Sequence, residues 1–396
     1  MSKKCIIPWI HLHTWPNNDV YPCCLTPQSE VVGNLDTQSL KEVFNSEGMK
    51  SIRRDMLAGV EPPSCNRCFE QERSGQFSMR NDANERFKHH ANLIETTQID
   101  GTVDDMNLVY WDFRFSNICN FKCRSCGPQL SSGWYKDFKE LNNGHLPPNC
   151  PDPDRPMTLW SQLEPLFDSV EQIYFAGGEP LLMEEHYRIL NKLIDMGKTD
   201  VYLRYNTNFS IMKYKGQDVI ELWKHFSNVK IDCSLDGMNH QGEYIRKGLN
   251  WQQVLTNRQR LRTQAPHVEF AINCTTSIQN AYHVVDFWHW CYTQDFINSP
   301  DKFHVNLVQD PEWLRISALP VHHKHALSEL YEFARDAALK VNAHNIANDW
   351  NSAIRFMMAT QEDTLDEFRT KMKLVDNLRK EDFAKTFPEL EDLICT

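Results

Sequence analysis

Between residues 107 and 310 the chain alternates short β-type runs with amphipathic stretches, and no other feature constrains its fold as strongly. Six candidate strands occupy residues 108–115, 171–176, 201–206, 229–235, 268–274 and 303–308. Each is short, rich in β-branched or aromatic residues, and followed by a turn signal or a polar cluster. Between the second and third, Leu182, His186, Leu190, Leu193 and Ile194 mark one helical stripe that Gly197 stops. Alternation repeated about six times predicts parallel βα units joined by right-handed crossovers. The span is shorter than the about 250 residues of a complete eight-fold barrel. The expected fold is therefore α/β, a partial (β/α)6 TIM-like barrel open on one side. The first βα connection, residues 127–160, is long and irregular, with Asn142-Asn143-Gly144, Pro147, Pro148, Pro151, Pro153 and Pro156, and is expected near the mouth of the barrel.

The flanks differ from this middle. Residues 1–100 form a loop-rich module punctuated by Cys, Pro and Gly. Residues 311–396 are helical, with Leu327, Leu330, Ala334, Ala337, Ala338 and Val341 on one face and Leu365, Phe368, Met372 and Val375 on another. Net charge is −11 with no dense Lys/Arg block, which argues against a nucleic-acid partner, whose binders carry a basic footprint. No apolar run approaches the roughly 20 residues that span a bilayer. The start of the chain lacks the apolar core of a signal peptide, and a cytoplasmic location with no membrane partner is expected. Thirteen cysteines in such a chain point to metal or redox chemistry rather than disulfides. Eight fall before residue 127, seven of them in three tight groups and Cys5 apart. Cys150, Cys233, Cys274, Cys291 and Cys395 are scattered, and Cys233 and Cys274 lie in apolar runs as buried small hydrophobes.

Directly after the first candidate strand comes Ser116-Asn-Ile-Cys119-Asn-Phe-Lys-Cys123-Arg-Ser-Cys126. Three thiolates on one loop can hold three irons of a [4Fe–4S] cube and leave the fourth open to a small molecule. Structural zinc wants four ligands, and no fourth cysteine is near. The next strand ends in Gly177-Gly178-Glu179-Pro180. Glycines there let backbone approach a ligand closely, and Glu179 with adjacent carbonyls can accept from an ammonium group. Asn206 ends the third strand. Ser234-Leu-Asp236-Gly and Arg246-Lys-Gly follow the fourth.

Together these segments resemble the radical S-adenosylmethionine (SAM) superfamily. The resemblance implies that Cys119, Cys123 and Cys126 ligate the catalytic cluster. It implies that Gly177, Gly178, Glu179 and Pro180 hold the SAM amino group, with the space at Gly178 taken by the methionyl end. Asn206, Ser234 and Arg246 are then further SAM contacts, Arg246 through the carboxylate. The implied chemistry is reductive cleavage of SAM to a 5′-deoxyadenosyl radical that abstracts a substrate hydrogen, with a flavodoxin- or ferredoxin-type reductant. Ser125 stands where the superfamily often has an aromatic residue, a position that is not an iron ligand.

The first 70 residues supply Cys5, Cys23, Cys24, Cys65 and Cys68. Four thiolates from this set enclose either zinc or a whole [4Fe–4S] cube, with Cys23 and Cys24 alternatives for one place. The words Val20-Tyr-Pro-Cys-Cys24, Gly33-Asn-Leu35 and Cys65-x-x-Cys68 resemble twitch or SPASM-type modules, which implies a second, auxiliary [4Fe–4S] cluster, here placed before the catalytic domain. Trp9, His11, His13 and Trp15 are expected to pack around it. His322, His323 and His325 are expected as a solvated helix start. The module resemblance points first to a peptide or protein substrate. A nucleotide, sugar or other small molecule is the alternative. An iron–sulfur electron carrier and a zinc-stabilised binding module are rivals of another class, and a carrier would need no Gly-Gly-Glu-Pro pocket.

Overall fold

In the computed structural model, residues 3–73, 75, 77–153, 159–359 and 363–394 are described; Pro156 and Cys395 lie outside them. Among the described residues there are eleven strands: β1 (His11–Thr14), β2 (Asp19–Tyr21), β3 (Gly33–Asn34), β4 (Tyr110–Phe113), β5 (Gln172–Phe175), β6 (Tyr202–Thr207), β7 (Lys213–Tyr214), β8 (Gln217–Asp218), β9 (Val229–Ser234), β10 (Glu269–Thr276) and β11 (Phe303–Leu307). All six strands expected from the alternation are present, and all pair in parallel: β4 with β5, β5 with β6, β6 with β9, β9 with β10 and β10 with β11. The α/β class and six-unit winding follow, and β7–β8 is a small hairpin apart from the sheet.

The sheet alternates sharply. In β6, Leu203, Tyr205 and Thr207 are buried while Tyr202, Arg204 and Asn206 are half-buried. Leu203, Tyr205, Ile231, Cys233, Ile272 and Cys274 are fully buried, which puts both cysteines in the core as the apolar runs suggested. Helix Glu184–Asp195 packs His186, Tyr187, Ile189, Leu190 and Leu193 inward. Acidic Glu184 and Glu185 sit at its positive N-terminus. Gly197, at φ +70°, ends it in the left-handed conformation that glycine adopts without strain.

Three findings depart from the sequence reading. The N-terminal module is not loop-rich: it holds helices Glu47–Leu57, Asn66–Arg73 and Met79–Arg86. Ser46 and Ser78 cap the first and third, and these caps make such short helices tenable. The module also enters the main sheet, because β1 pairs in parallel with β4, His11 opposite Tyr110 and His13 opposite Asp112. Strands β2 and β3 then extend that edge antiparallel, giving nine strands in all. At the other end, helices Val321–Lys340 and Leu365–Arg379 carry the two expected faces, with His344–Ala359 between them. Val341 falls past the first helix and is exposed. His323 and Lys324 are buried at the start of that helix, His323 against Asp392 at 3.0 Å, so only part of the histidine run is solvated. No helix among the described residues is long and apolar enough to cross a membrane.

Candidate active site

The loop after β4 is tied down from three sides, which fixes its cysteines. Lys122 N donates to Lys247 O and Arg124 N to Ile245 O, both at 2.8 Å, so segment 245–248 runs alongside the loop. Gly248 permits this approach: a Cβ there would lie 2.8 Å from Phe121 and 2.9 Å from Asn120 O. On another side, Trp134 Nε1 donates to Cys123 O at 2.9 Å, and Ser131 Oγ donates to Phe121 O. The long insertion thus braces the cluster loop from its helical start, residues 131–135. On the third side, Glu179 N donates to Ile118 O at 2.7 Å.

Cys119, Cys123 and Cys126 line one cavity of about 230 Å³ with Gly177, Gly178 and Glu179. Asn206, Ser234 and Arg246 complete the same wall. Pro180 is buried at the start of the turn after Glu179. Every expected site residue on the barrel side is therefore at one place, at the C-terminal ends of the strands. Burial pushes the three thiols up, with Cys123 adding to the rise at Cys119 and Cys126, and Cys126 reaches about 12. Such a set is stable as thiolates only with a cation among them. Three sulfur donors facing a cavity fit a cluster with one iron left open.

Arg246 faces Cys123, with Nη1 3.9 Å from its Sγ. Asp236 holds the guanidinium with both oxygens, at 2.9 Å from Nη2 and 2.8 Å from Nε. Arg246 is thus a buried, oriented cation. Glu179 is buried and braces its own turn: Oε1 accepts from Leu181 N at 3.1 Å and Thr207 Oγ1 at 2.7 Å, and Oε2 from Asn208 N at 2.7 Å. Burial raises its carboxyl to about 7 against these bonds. Gly178 also has a packing role. A Cβ there would lie 2.3 Å from Ile118 O, so this glycine lets the turn dock on the cluster loop while it lines the cysteine cavity. Gly177, at φ +83°, accommodates the stem of Arg114.

The second group gathers in the module. Cys5, Cys23, Cys65 and Cys68 line one small cavity with Met79 and Arg80. Burial pushes the Cys5, Cys23 and Cys65 thiols up, Cys65 to about 12. Cys24 leaves this set. Its Sγ lies 3.8 Å from Met79 Sδ, and its charged neighbours besides Cys23 are Asp112, Arg114 and Arg204, on the barrel side. Four sulfur donors without Cys24 fit a closed metal or cluster site. The expected aromatic jacket is elsewhere. His11 Nδ1 lies 3.0 Å from Tyr110 O, His13 Nδ1 lies 2.7 Å from Asp112 Oδ2, and Trp9 Nε1 donates to Thr97 Oγ1 at 2.7 Å. Trp15 lines a larger cleft beside Cys126.

Sequence reasoning missed Asp112, Arg114 and Asp236. The signal that could have found the first two is the alternation in Tyr110-Trp-Asp112-Phe-Arg114, which sets them on one side of the strand.

The fold and its two cysteine groups define an α/β barrel-type chain with a cysteine-rich module joined to its sheet. That module, residues 5–69, matches the SPASM family, an iron–sulfur cluster-binding domain, in agreement with the resemblance. Among solved structures, native anSMEcpe with bound AdoMet and Cp18Cys peptide is similar at 18% identity and TM-score 0.39, covering 58% of this chain and 60% of that one. Streptococcus suis SuiB bound to S-adenosylmethionine is similar at 15% identity and TM-score 0.42, covering 76% and 63%. TYW1 with a lysine-pyruvate adduct bound is similar at 10% identity and TM-score 0.31, covering 56% and 70%. The chain thus spans about three fifths of the length of the first two. No curated protein matches this chain significantly.

Proposed function

We propose that this chain is a radical SAM enzyme acting on a peptide or protein substrate, with an auxiliary cluster in its SPASM-type module. One observation carries the reading: Cys119, Cys123, Cys126, the Gly177–Glu179 turn and Arg246 converge on one cavity. Cys119, Cys123 and Cys126 would hold the catalytic [4Fe–4S] cluster, and Cys5, Cys23, Cys65 and Cys68 the auxiliary one. When bound, the catalytic cluster supplies the electron that cleaves SAM to methionine and a 5′-deoxyadenosyl radical.

The protein's own part is binding, orientation and exclusion of water. Arg246, fixed by Asp236, presents a cation beside Cys123 for the SAM carboxylate. The carbonyls of the Gly177–Glu179 turn face the amino group, and Asn206 and Ser234 offer polar atoms to the ribose. Asn206 Oδ1 is buried without a partner, as a ligand-facing group would be. A cleft of about 620 Å³ opens beside Cys126, lined also by Trp15, Trp313, Lys371 and Leu374. It has the size of a ligand site and suits a peptide segment. The reductant is of the flavodoxin or ferredoxin type, and the protein works in the cytoplasm.

The test is 5′-deoxyadenosine formation by anaerobically reconstituted protein with dithionite and SAM. The wild type should form it, and the triple variant Cys119→Ala, Cys123→Ala, Cys126→Ala should form none. Cys65→Ala with Cys68→Ala should keep some SAM cleavage. Product from the triple variant would refute the assignment.

A further inference from the structure

Histidine and carboxylate side chains gather at two places away from the cysteine cavities. His89 and His90 face Glu171, and His322 and His323 face Asp392; in each trio the candidate ligand atoms lie within 4.8 Å of one another. At the first, His89 Nε2 and His90 Nε2 lie 2.9 and 2.7 Å from the Glu171 carboxylate. Arg86 lines a hollow with Glu171 and donates to Gln172 Oε1 at 3.0 Å, so a fixed cation already stands beside that carboxylate and repels a metal.

The second trio is better built. His323 Nε2 lies 3.0 Å from Asp392 Oδ1, and His322 Nε2 lies 3.2 Å from Oδ2. Neighbouring ligand atoms of a tetrahedral zinc site, with bonds of about 2.0 Å, stand about 3.3 Å apart. His323 is buried, and its other ring nitrogen, Nδ1, lies 2.9 Å from the Tyr282 hydroxyl. Such an outer contact orients a ligating imidazole and fixes its tautomer. With Nε2 on a metal, Nδ1 keeps its hydrogen and donates it to the hydroxyl, which can accept as readily as donate. Neither His89 nor His90 has a second hydrogen-bonding partner for its ring among the described residues.

An ion pair alone accounts poorly for this trio. One carboxylate cancels one imidazolium, and the His322 and His323 rings are 4.3 Å apart, where two positive rings repel. Two neutral imidazoles and one carboxylate form instead a nitrogen and oxygen donor set with one negative charge, suited to zinc. The His322 and Asp392 side chains are 67% and 50% exposed, which leaves a coordination position open to water.

We propose that His322, His323 and Asp392 bind a zinc ion with water as a further ligand, a site separate from both cysteine groups, and that Tyr282 positions His323. The ion ties the C-terminal turn, whose Leu390 and Leu393 are buried, to the start of helix Val321–Lys340. Helix Leu365–Arg379 holds the same turn from another side, where Arg369 Nε donates to Leu393 O at 2.8 Å. The role is structural and does not depend on the radical SAM reading.

The experiment is anaerobic calorimetry with zinc chloride on tag-free, fully iron-loaded protein. The wild type should take up zinc with a Kd at or below about 10 µM. Asp392→Asn and His322→Ala, both at exposed side chains, should each weaken that binding at least about tenfold, and Tyr282→Phe should weaken it about tenfold, as loss of an orienting contact does. Zinc should raise the thermal midpoint of the wild type and not that of Asp392→Asn. His89→Ala with His90→Ala should change neither result. Iron content and circular dichroism report whether each variant is folded. No binding tighter than about 100 µM, or binding unweakened in Asp392→Asn and His322→Ala, would overturn the proposal. So would binding lost in the variant at His89 and His90, since the ion would then sit at Glu171. Unchanged affinity in Tyr282→Phe would refute the positioning role, and zinc bound without a shift in the midpoint would refute the structural one. Every reading is made without SAM, so a protein that never cleaves SAM can still hold this site.

Discussion

His186 shows what burial does to a single titratable residue in this fold. Its ring lies against Phe175, Tyr187 and Tyr205, with Nε2 3.0 Å from the Tyr205 hydroxyl, and its Nδ1 is buried without a partner. No carboxylate compensates a charge there, so burial lowers its pKa from 6.5 to about 3. Below pH 6.5 the unfolded chain takes up a proton that the folded chain refuses until about pH 3. The stability this group contributes is therefore fully present above pH 6.5 and is lost as pH falls through that window. One unit below 6.5 the loss is about 1.4 kcal/mol. His11 and His283, both held near 4 by burial, act with the same sign. Urea unfolding measured under anaerobic conditions at about pH 7.5 and 5.5 should show falling stability. His186→Gln, which keeps a hydrogen-bonding group for Tyr205, should remove about 1.4 kcal/mol of that fall. An unchanged slope in the variant would place the acid sensitivity elsewhere.

Among the elements, helix Leu365–Arg379 reaches furthest. Arg124, in the cluster loop and 1% exposed at its side chain, meets Asp376 Oδ1 at 2.5 Å and Glu381 Oε2 at 2.7 Å and stacks on Tyr244. Arg379 and Lys122 share Asp137, at 2.9 and 2.7 Å. Removing one member of a buried ionic group costs about 3–5 kcal/mol, whereas an exposed pair is worth about 0–1. Asp376→Ala should thus destabilise the protein by about 3 kcal/mol and lower iron retention at Cys119, Cys123 and Cys126 while the module keeps its own. Lys385→Ala, at an exposed pair with Asp382, should leave stability essentially unchanged in the same denaturant titration. Sequence periodicity revealed this helix and the six parallel strands, because each buries a regular apolar face. It could not reveal that the helix clamps the cluster loop, since Arg124 and Asp376 meet only through the tertiary fold. β1 was hidden for a related reason. His11 and His13 face a charged chamber, so the strand has no apolar stripe on that side, and its partner β4 lies about a hundred residues on. The cysteine spacing made the catalytic loop legible. The choice between Cys23 and Cys24 was not, because it depends on which way a turn sends two adjacent side chains.

At the scale of the whole molecule, that turn separates two compartments. The Cys23 carbonyl accepts from Thr26 N at 3.2 Å, closing a turn that sends Cys23 into the module cavity and Cys24 toward the sheet interior. The module cavity then has four thiols and the barrel cavity three, and no residue serves both. Two independent sites follow, and reconstituted protein should hold about eight irons. Cys23→Ala should lower the count below eight, because the module site loses one of its four thiolates and holds its cluster less tightly. Cys24→Ala should leave about eight, since its sulfur has only Met79 within hydrogen-bonding reach among the described residues and lines neither cavity. Both variants should keep their three barrel cysteines loaded, so a SAM-dependent change in the spectrum of the reduced cluster should persist in each. Iron and sulfide analysis with electron paramagnetic resonance on the two single variants decides the matter. If Cys24→Ala loses half its iron and Cys23→Ala does not, the turn is reversed in the loaded protein and Cys24 is the fourth ligand. If both lose half, the module recruits both cysteines and the two compartments are not independent.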